Sequence, residues 1–253
     1  MRKEQGRLRR MIAQGRMPLG LSLALIALAW GVGAAILLGQ RAWISHRMGR
    51  PVRRLVEGNG YSLLLVYPEH FNPATCERIA ACFLAAYPRQ AARFNPAAPR
   101  RVTLVIEPVE GFLETGPTQG RVLHQSNLYL QRKPQDIDVV TFNLFRAVQN
   151  YPEGRYPAWV CDGLADYARH TYGVNNVAAG WSLVSYAPTQ RHTDSYAVTA
   201  RFFAWLEKRV DAHILEDLDR ALRAGTYTDT FWKQRTGRSV DQLWTAYGAD
   251  PVL

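Results

Sequence analysis

Three cysteines in 253 residues are too few and too badly placed for a disulfide framework. Cys76 and Cys82 lie six apart in "TCERIAACFLAAYP", a helical pattern that puts them on different faces, and Cys161 has no obvious partner. Three structural thiols are expected. The chain has no GxSxG elbow and no Gly-rich phosphate loop, which removes two common hydrolase and nucleotide-binding signatures. Internal repeats and low-complexity tracts are also absent. Acidic residues are nearly missing from the start: residues 1–54 hold eleven Lys/Arg and one Glu, whereas residues 55–253 hold twenty of each sign. The net charge of +10 and the pI near 9.8 therefore belong to the N-terminus. The remainder is neutral, so no nucleic-acid partner is implied.

Charge of either sign is also absent from residues 17–40, "MPLGLSLALIALAWGVGAAILLGQ", a run longer than the roughly 20 apolar residues that cross a hydrocarbon core. One membrane span is expected. The leader carries six basic residues against one acidic, which favours a cytoplasmic N-terminus, although Arg41, Arg47, Arg50, Arg53 and Arg54 on the other flank oppose that bias. A cleaved signal peptide is the competing reading. Against it, the run exceeds the usual h-region of about 7–15 residues and no small-x-small site follows. The chain thus reads as a basic cytoplasmic leader (1–16), a transmembrane signal anchor (17–40), a basic juxtamembrane stalk (41–59) and a folded domain (60–253) outside the cytoplasm, in the periplasm or beyond it. The lipid bilayer is the first partner this implies.

Within the domain, "YSLLLVYP" and "RRVTLVIEP" read as short strands, with a helix over "PATCERIAACFLAAYP" between them, and "GRVLHQSNLYLQ" supplies one or two further strands. From Asp136 the pattern turns helical almost to the end, and several of the helices stop at Gly. Strands first and helices second predict an α+β domain. In the helix near 136–151, Val140, Leu144, Ala147, Val148 and Tyr151 form one apolar face, with Phe142, Arg146 and Gln149 opposite. The next helix places Val160, Leu164, Tyr167 and Thr171 on one side and Asp162, Asp166 and Arg169 on the other, where spacing alone predicts a solvated face with an Asp166/Arg169 pair. Trp181, Tyr186, Phe202, Phe203, Trp205, Phe231, Trp232 and Trp244 recur at helical spacing, as core residues do.

Several motifs in order, "GLADYARHTYG", the pair Gly180-Trp181, "SYAVTARFFAWLEKR" and "LDRALRAGTYTDTFWKQRTGRSVDQLWTAYG", resemble the basic secretory protein family. The likeness runs from about Tyr61 to Gly248. The resemblance implies a zincin-like fold related to the peptidase MA-like domains, with a small N-terminal sheet and one helix before a mostly helical half. That family carries an HExxH helix, then an acidic residue opening an "EGxADY"-like helix. Two His at i, i+4 and the later carboxylate hold Zn²⁺, and the Glu activates water. Carried onto this sequence without a gap, those four positions fall on Phe142, Asn143, Arg146 and Asp162. Phe offers no lone pair, Asn is no base at neutral pH, and Arg, with a pKa above about 12, is a cation that repels zinc.

Asp162 is the one ligand position left, so neither a metal nor another cofactor is expected. His170, His124 and His192 form no ligand motif, and Cys161 precedes an acidic residue inside a helix. The resemblance implies a pseudo-metallopeptidase whose cleft binds a peptide, a glycan or a partner protein or is a structural relic, and the same residues fit a scaffold that holds partners at the membrane. Its rival is a working hydrolase with an altered site built from Asp162 with Asp166, His170 or Tyr196, for which zinc would return as cofactor. Tyr196 enters because zincin relatives often place a Tyr near the reacting carbonyl. If Arg146 holds the second-His position, it needs a carboxylate in the cleft, and an Arg146–Asp162 salt bridge is expected at ~2.7–3.2 Å.

Overall fold

The computed structural model describes residues 50–107, 122–152 and 156–253. Residues 48–253 form a compact unit with its own core. The leader, the charge-free run and residues 41–49 lie outside the described residues. Among the described residues no helix is long and apolar enough to cross a membrane.

The first strand, β1 (Pro51–Gly58), lies within the segment expected to be stalk, so the folded domain begins earlier than Gly60. Its Arg residues hid it. Arg54 is neutralised by Glu77 through two hydrogen bonds of 2.6 and 2.8 Å, and Val56 enters the core. Asn59 and Gly60, both at positive φ, turn the chain into β2 (Tyr61–Pro68), which pairs antiparallel with β1 in the register Gly58↔Tyr61.

Asn72 caps α1 (Pro73–Phe94) through a 2.8 Å bond from Ala74 N to Oδ1, and Pro73 occupies the first turn. The helix continues through Pro88 to Phe94, past the expected end. It carries the chain to β3 (Arg101–Glu107), parallel to β2, and β4 (Val122–Ser126) lies parallel to β3. The sheet order is β1-β2-β3-β4. After Ser126 the chain becomes α2 (Asn127–Arg132) and not a further strand, because the Ser126 hydroxyl accepts from Tyr129 N at 3.1 Å and starts a helix.

Among the described residues six more helices follow: α3 (Val139–Gln149), α4 (Ala158–Tyr172), α5 (Tyr196–Arg209), α6 (Ile214–Arg223), α7 (Phe231–Thr236) and α8 (Val240–Ala249). The fold is α+β, a four-stranded sheet followed by a helical C-terminal half. α3 packs against α1, α4 and β4, and α4 packs in turn on α5, so both lie inside helical layers. At the α4–α5 crossing a Cβ on Gly163 would stand 2.2 Å from Thr199 Cγ2, so only Gly lets the helices approach this closely. The aromatic residues of the C-terminal half behave as core: Phe202, Phe203 and Trp232 are fully buried, and Tyr186, Phe231 and Trp244 pack against them. Cys76, Cys82 and Cys161 are free and buried.

Candidate functional site

Of the four positions carried over from the family, Arg146 and Asp162 meet where α3 faces α4. Arg146 is the one residue of α3 that is not buried. Its Nη1 stands 3.2 Å from Asp162 Oδ1 on α4 and donates to Gln149 Oε1 at 3.1 Å. The side chains are 21% and 37% exposed, so water reaches this pair. Burial still raises the Asp162 carboxyl above its ordinary pKa, with Arg146 pulling the other way. One turn earlier, Phe142 is buried and meets the Tyr196 ring edge-on, 6.0 Å between centroids. Tyr196 opens α5, and burial, then Asp166, raises its phenol.

Asn143 turns away from that pair toward the sheet. Its Nδ2 donates to Gln125 Oε1 at 2.8 Å, while its buried Oδ1 has no hydrogen-bond partner among the described residues. Gln149 is also buried, with Nε2 donating to Cys161 O at 2.8 Å. Apart from Arg146, the face of α3 opposite its apolar stripe is thus interior. A helix with neighbours on every side can bury polar groups that bond back to the protein, which periodicity cannot reveal.

The solvated-face expectation for α4 fails for the same reason. Asp166 is 1% exposed and Arg169 4%. Arg169 does not pair with Asp166: its Nη2 donates to Asp136 Oδ1 at 2.6 Å, and Asp136 Oδ2 accepts from Tyr129 at 2.5 Å. Asp166 Oδ2 has no hydrogen-bond partner among the described residues, and burial pushes the carboxyl up to about 7, opposed by Arg169 and assisted by Asp136. In the sequence Asp136 and Asp138 mark no more than the start of a helix. Asp138 is fully buried and accepts from Thr141 Oγ1 at 2.8 Å and from the backbone of Val174 and Asn175 at 2.9 and 2.5 Å.

The remaining candidates lie elsewhere. His170 is solvent-accessible at the end of α4, although partial desolvation by its neighbours lowers its pKa. His124 meets Glu107 at 2.9 Å, and His192 is enclosed by Trp159, Phe202 and Trp244. Burial pushes the Cys161 thiol up to about 12, which removes it as a nucleophile. No cluster of three His, Cys, Asp or Glu side chains with metal-binding geometry occurs among the described residues. A zinc ion does not fit the donors present where Arg146 meets Asp162, since Phe142 and Arg146 supply none and the Asp162 carboxylate faces a guanidinium.

A family model described as peptidase of plants and bacteria, BSP, matches residues 74–247, which includes every position discussed above. This chain belongs to the BSP family. None of the curated proteins compared matches it. Among solved structures, an M1 zinc metallopeptidase from Deinococcus radiodurans is similar at 14% identity and a TM-score of 0.47, over 79% of this chain and 52% of that one. A Glu-to-Ala mutant of an M1 zinc metallopeptidase from the same organism is similar at 13% identity and a TM-score of 0.48, over 81% and 53%. This BSP chain spans about half the length of those enzymes.

Proposed function

We propose that this BSP-family chain is a membrane-anchored pseudo-metallopeptidase, in which an ion pair stands where the family holds zinc and the cleft binds a peptide, glycan or partner protein without cutting it. The observation that carries the reading is the Arg146–Asp162 contact, with Phe142 packed on Tyr196 one turn away. A guanidinium there repels a divalent cation and engages one oxygen of the carboxylate that could have bound it. Asn143 cannot take the proton that the family's Glu removes from water.

The anchor rests on the charge-free run 17–40 and its basic flanks. It places the compact unit in the periplasm or outside the cell.

A working hydrolase is the second reading, and Asp166 is the observation in its favour: a carboxyl near pH 7 close to Tyr196 is a suitable general acid. Its 1% exposure argues against contact with a substrate. Metal analysis and proteolysis separate the two. The pseudoenzyme is expected to purify without stoichiometric zinc and to show no chelator-sensitive cleavage of unfolded proteins or peptides. Stoichiometric zinc with chelator-sensitive cleavage overturns it, and chelator-resistant cleavage lost in Asp166→Asn establishes the second reading.

A further inference from the structure

Residues 1–49 join the compact unit next to Pro51, and contacts trace one end of the fold from there. Pro51 pairs with Pro68, so the start of β1 lies beside the end of β2, and the chain passes through residues 69–72 into α1. Early in α1, Arg78 donates to the carbonyls of Pro134 and Gln135 at 2.5 and 3.1 Å. Gln135 O also accepts from Asn175 Nδ2 at 2.5 Å. The point of chain entry, the α1 N-terminus, the turn at 133–136 and the loop after α4 therefore share one end.

That end differs from an ordinary water-facing surface. Val177 is 94% exposed and Val174 51%. Trp181 is half-buried between a cavity of ≈ 550 Å³, lined by Val174, Val177 and Ala178 among others, and one of ≈ 360 Å³ that Lys133 also lines. The loop holding these apolar tips is firmly built. Buried Asp138 accepts from the backbone of Val174 and Asn175, and Asn176 exchanges hydrogen bonds with Arg169 at 3.2 and 2.9 Å. The Trp181 ring lies over the Arg169 guanidinium, 4.2 Å from Cζ to the ring centroid. Along this path the exposed charges are Arg50, Arg53, Arg132 and Lys133, against Glu69 and the Glu77 already paired with Arg54.

We propose that this end docks on the lipid surface, with Val174 and Val177 entering the boundary between headgroups and acyl chains. Trp181 sits at headgroup level, and Arg132 and Lys133 meet lipid phosphates. Apolar tips, an amphipathic indole and flanking cations are what an interfacial surface requires. The occupant is a bilayer because of where the chain outside the structure leads. The charge-free run ends at Gln40, and an extended connection over residues 41–50 spans at most about 36 Å. The proposal rests on the anchor reading in that respect, since a short tether keeps this face near the membrane and makes weak insertion effective.

The test uses the full chain reconstituted in vesicles of phosphatidylcholine and phosphatidylglycerol, with Val177→Cys carrying a polarity-sensitive dye. The native thiols are buried and their pKa values raised by that burial, so the dye is confined to the introduced site. A label at Glu57→Cys, at the opposite end of β1, is the control. The expected result is blue-shifted emission at position 177, quenched by lipid-borne quenchers, with neither effect at 57. Emission at 177 as aqueous as at 57 overturns the docking face, whereas release of the full chain by alkaline wash overturns the anchor reading alone.

Discussion

Arg146 on α3 and Asp162 on α4 face each other with Nη1 and Oδ1 3.2 Å apart, at a place where water reaches both side chains. Screening in such a setting keeps an ion pair weak. Arg146→Ala is therefore expected to lower the unfolding free energy by about 1 kcal/mol or less, as read from urea denaturation at neutral pH. A loss several times larger would mean that the pair ties the two helices together as a metal would.

Exchange of that pair for metal ligands is the direct test of the family positions. Phe142→His, Asn143→Glu and Arg146→His in one chain place two imidazoles at i, i+4 beside Asp162, which is a three-ligand donor set. Zinc binding by calorimetry is expected, with a rise in Tm when zinc is added. A folded triple variant without zinc affinity would show that these positions do not converge on one site.

The buried pair is a different case. Arg169 and Asp136 bond at 2.6 Å with side chains 5% and 8% exposed. Asp136→Ala strands a buried guanidinium and removes the acceptor of the Tyr129 hydroxyl, so a loss of roughly 3–5 kcal/mol is expected. The loop 173–181 should loosen with it, seen as faster amide exchange at Asn176 and Trp181.

Asp166 makes stability depend on pH. Its folded pKa, pushed up to about 7, lies above the unfolded value of about 3.9, so the protonated carboxyl favours the folded state. That contribution is complete below pH ~4 and is lost as pH rises through about 7. Asp166→Asn is expected to flatten the decline of stability with pH in this window, leaving the parts due to Asp219, itself pushed up to about 6 by burial, and to Asp162, which burial also raises. Denaturation midpoints of both proteins at pH 5 and pH 8 check the sign.

Gly163 tests the helical layers that support the site. A methyl group there meets Thr199, whose Oγ1 is held by the carbonyls of His192 and Ser195 at 2.6 and 3.0 Å and cannot swing away freely. Gly163→Ala is expected to destabilise by roughly 1–3 kcal/mol, with partial recovery in the double variant that adds Thr199→Ala. Chemical denaturation of the three proteins measures both effects.

Local chemistry made much of the fold legible in the sequence. The helix from Pro73 announces itself through Asn72 and Pro73, and the last one through the Ser239–Gln242 capping box, because caps and turns are decided by residues close in the chain. That Phe142, Asn143 and Arg146 stand where the family resemblance implies HExxH is likewise an expectation drawn from the chain alone. Partners across the fold were not legible. The chain offers Arg169 an acid three residues before it, yet Asp136, thirty-three residues away, is the one that bonds to it. Asp166 looked like a surface residue until the α3–α4–α5 layers enclosed it, since a charge pattern on one helix carries no record of a second neighbour. Arg53 and Arg54 made β1 look like stalk, and only pairing with β2 together with the Glu77 contact made it a strand. Contacts within a few residues were settled by the sequence, and burial and charge pairing by the tertiary structure, because desolvation depends on everything packed around a group and not on its place in the chain.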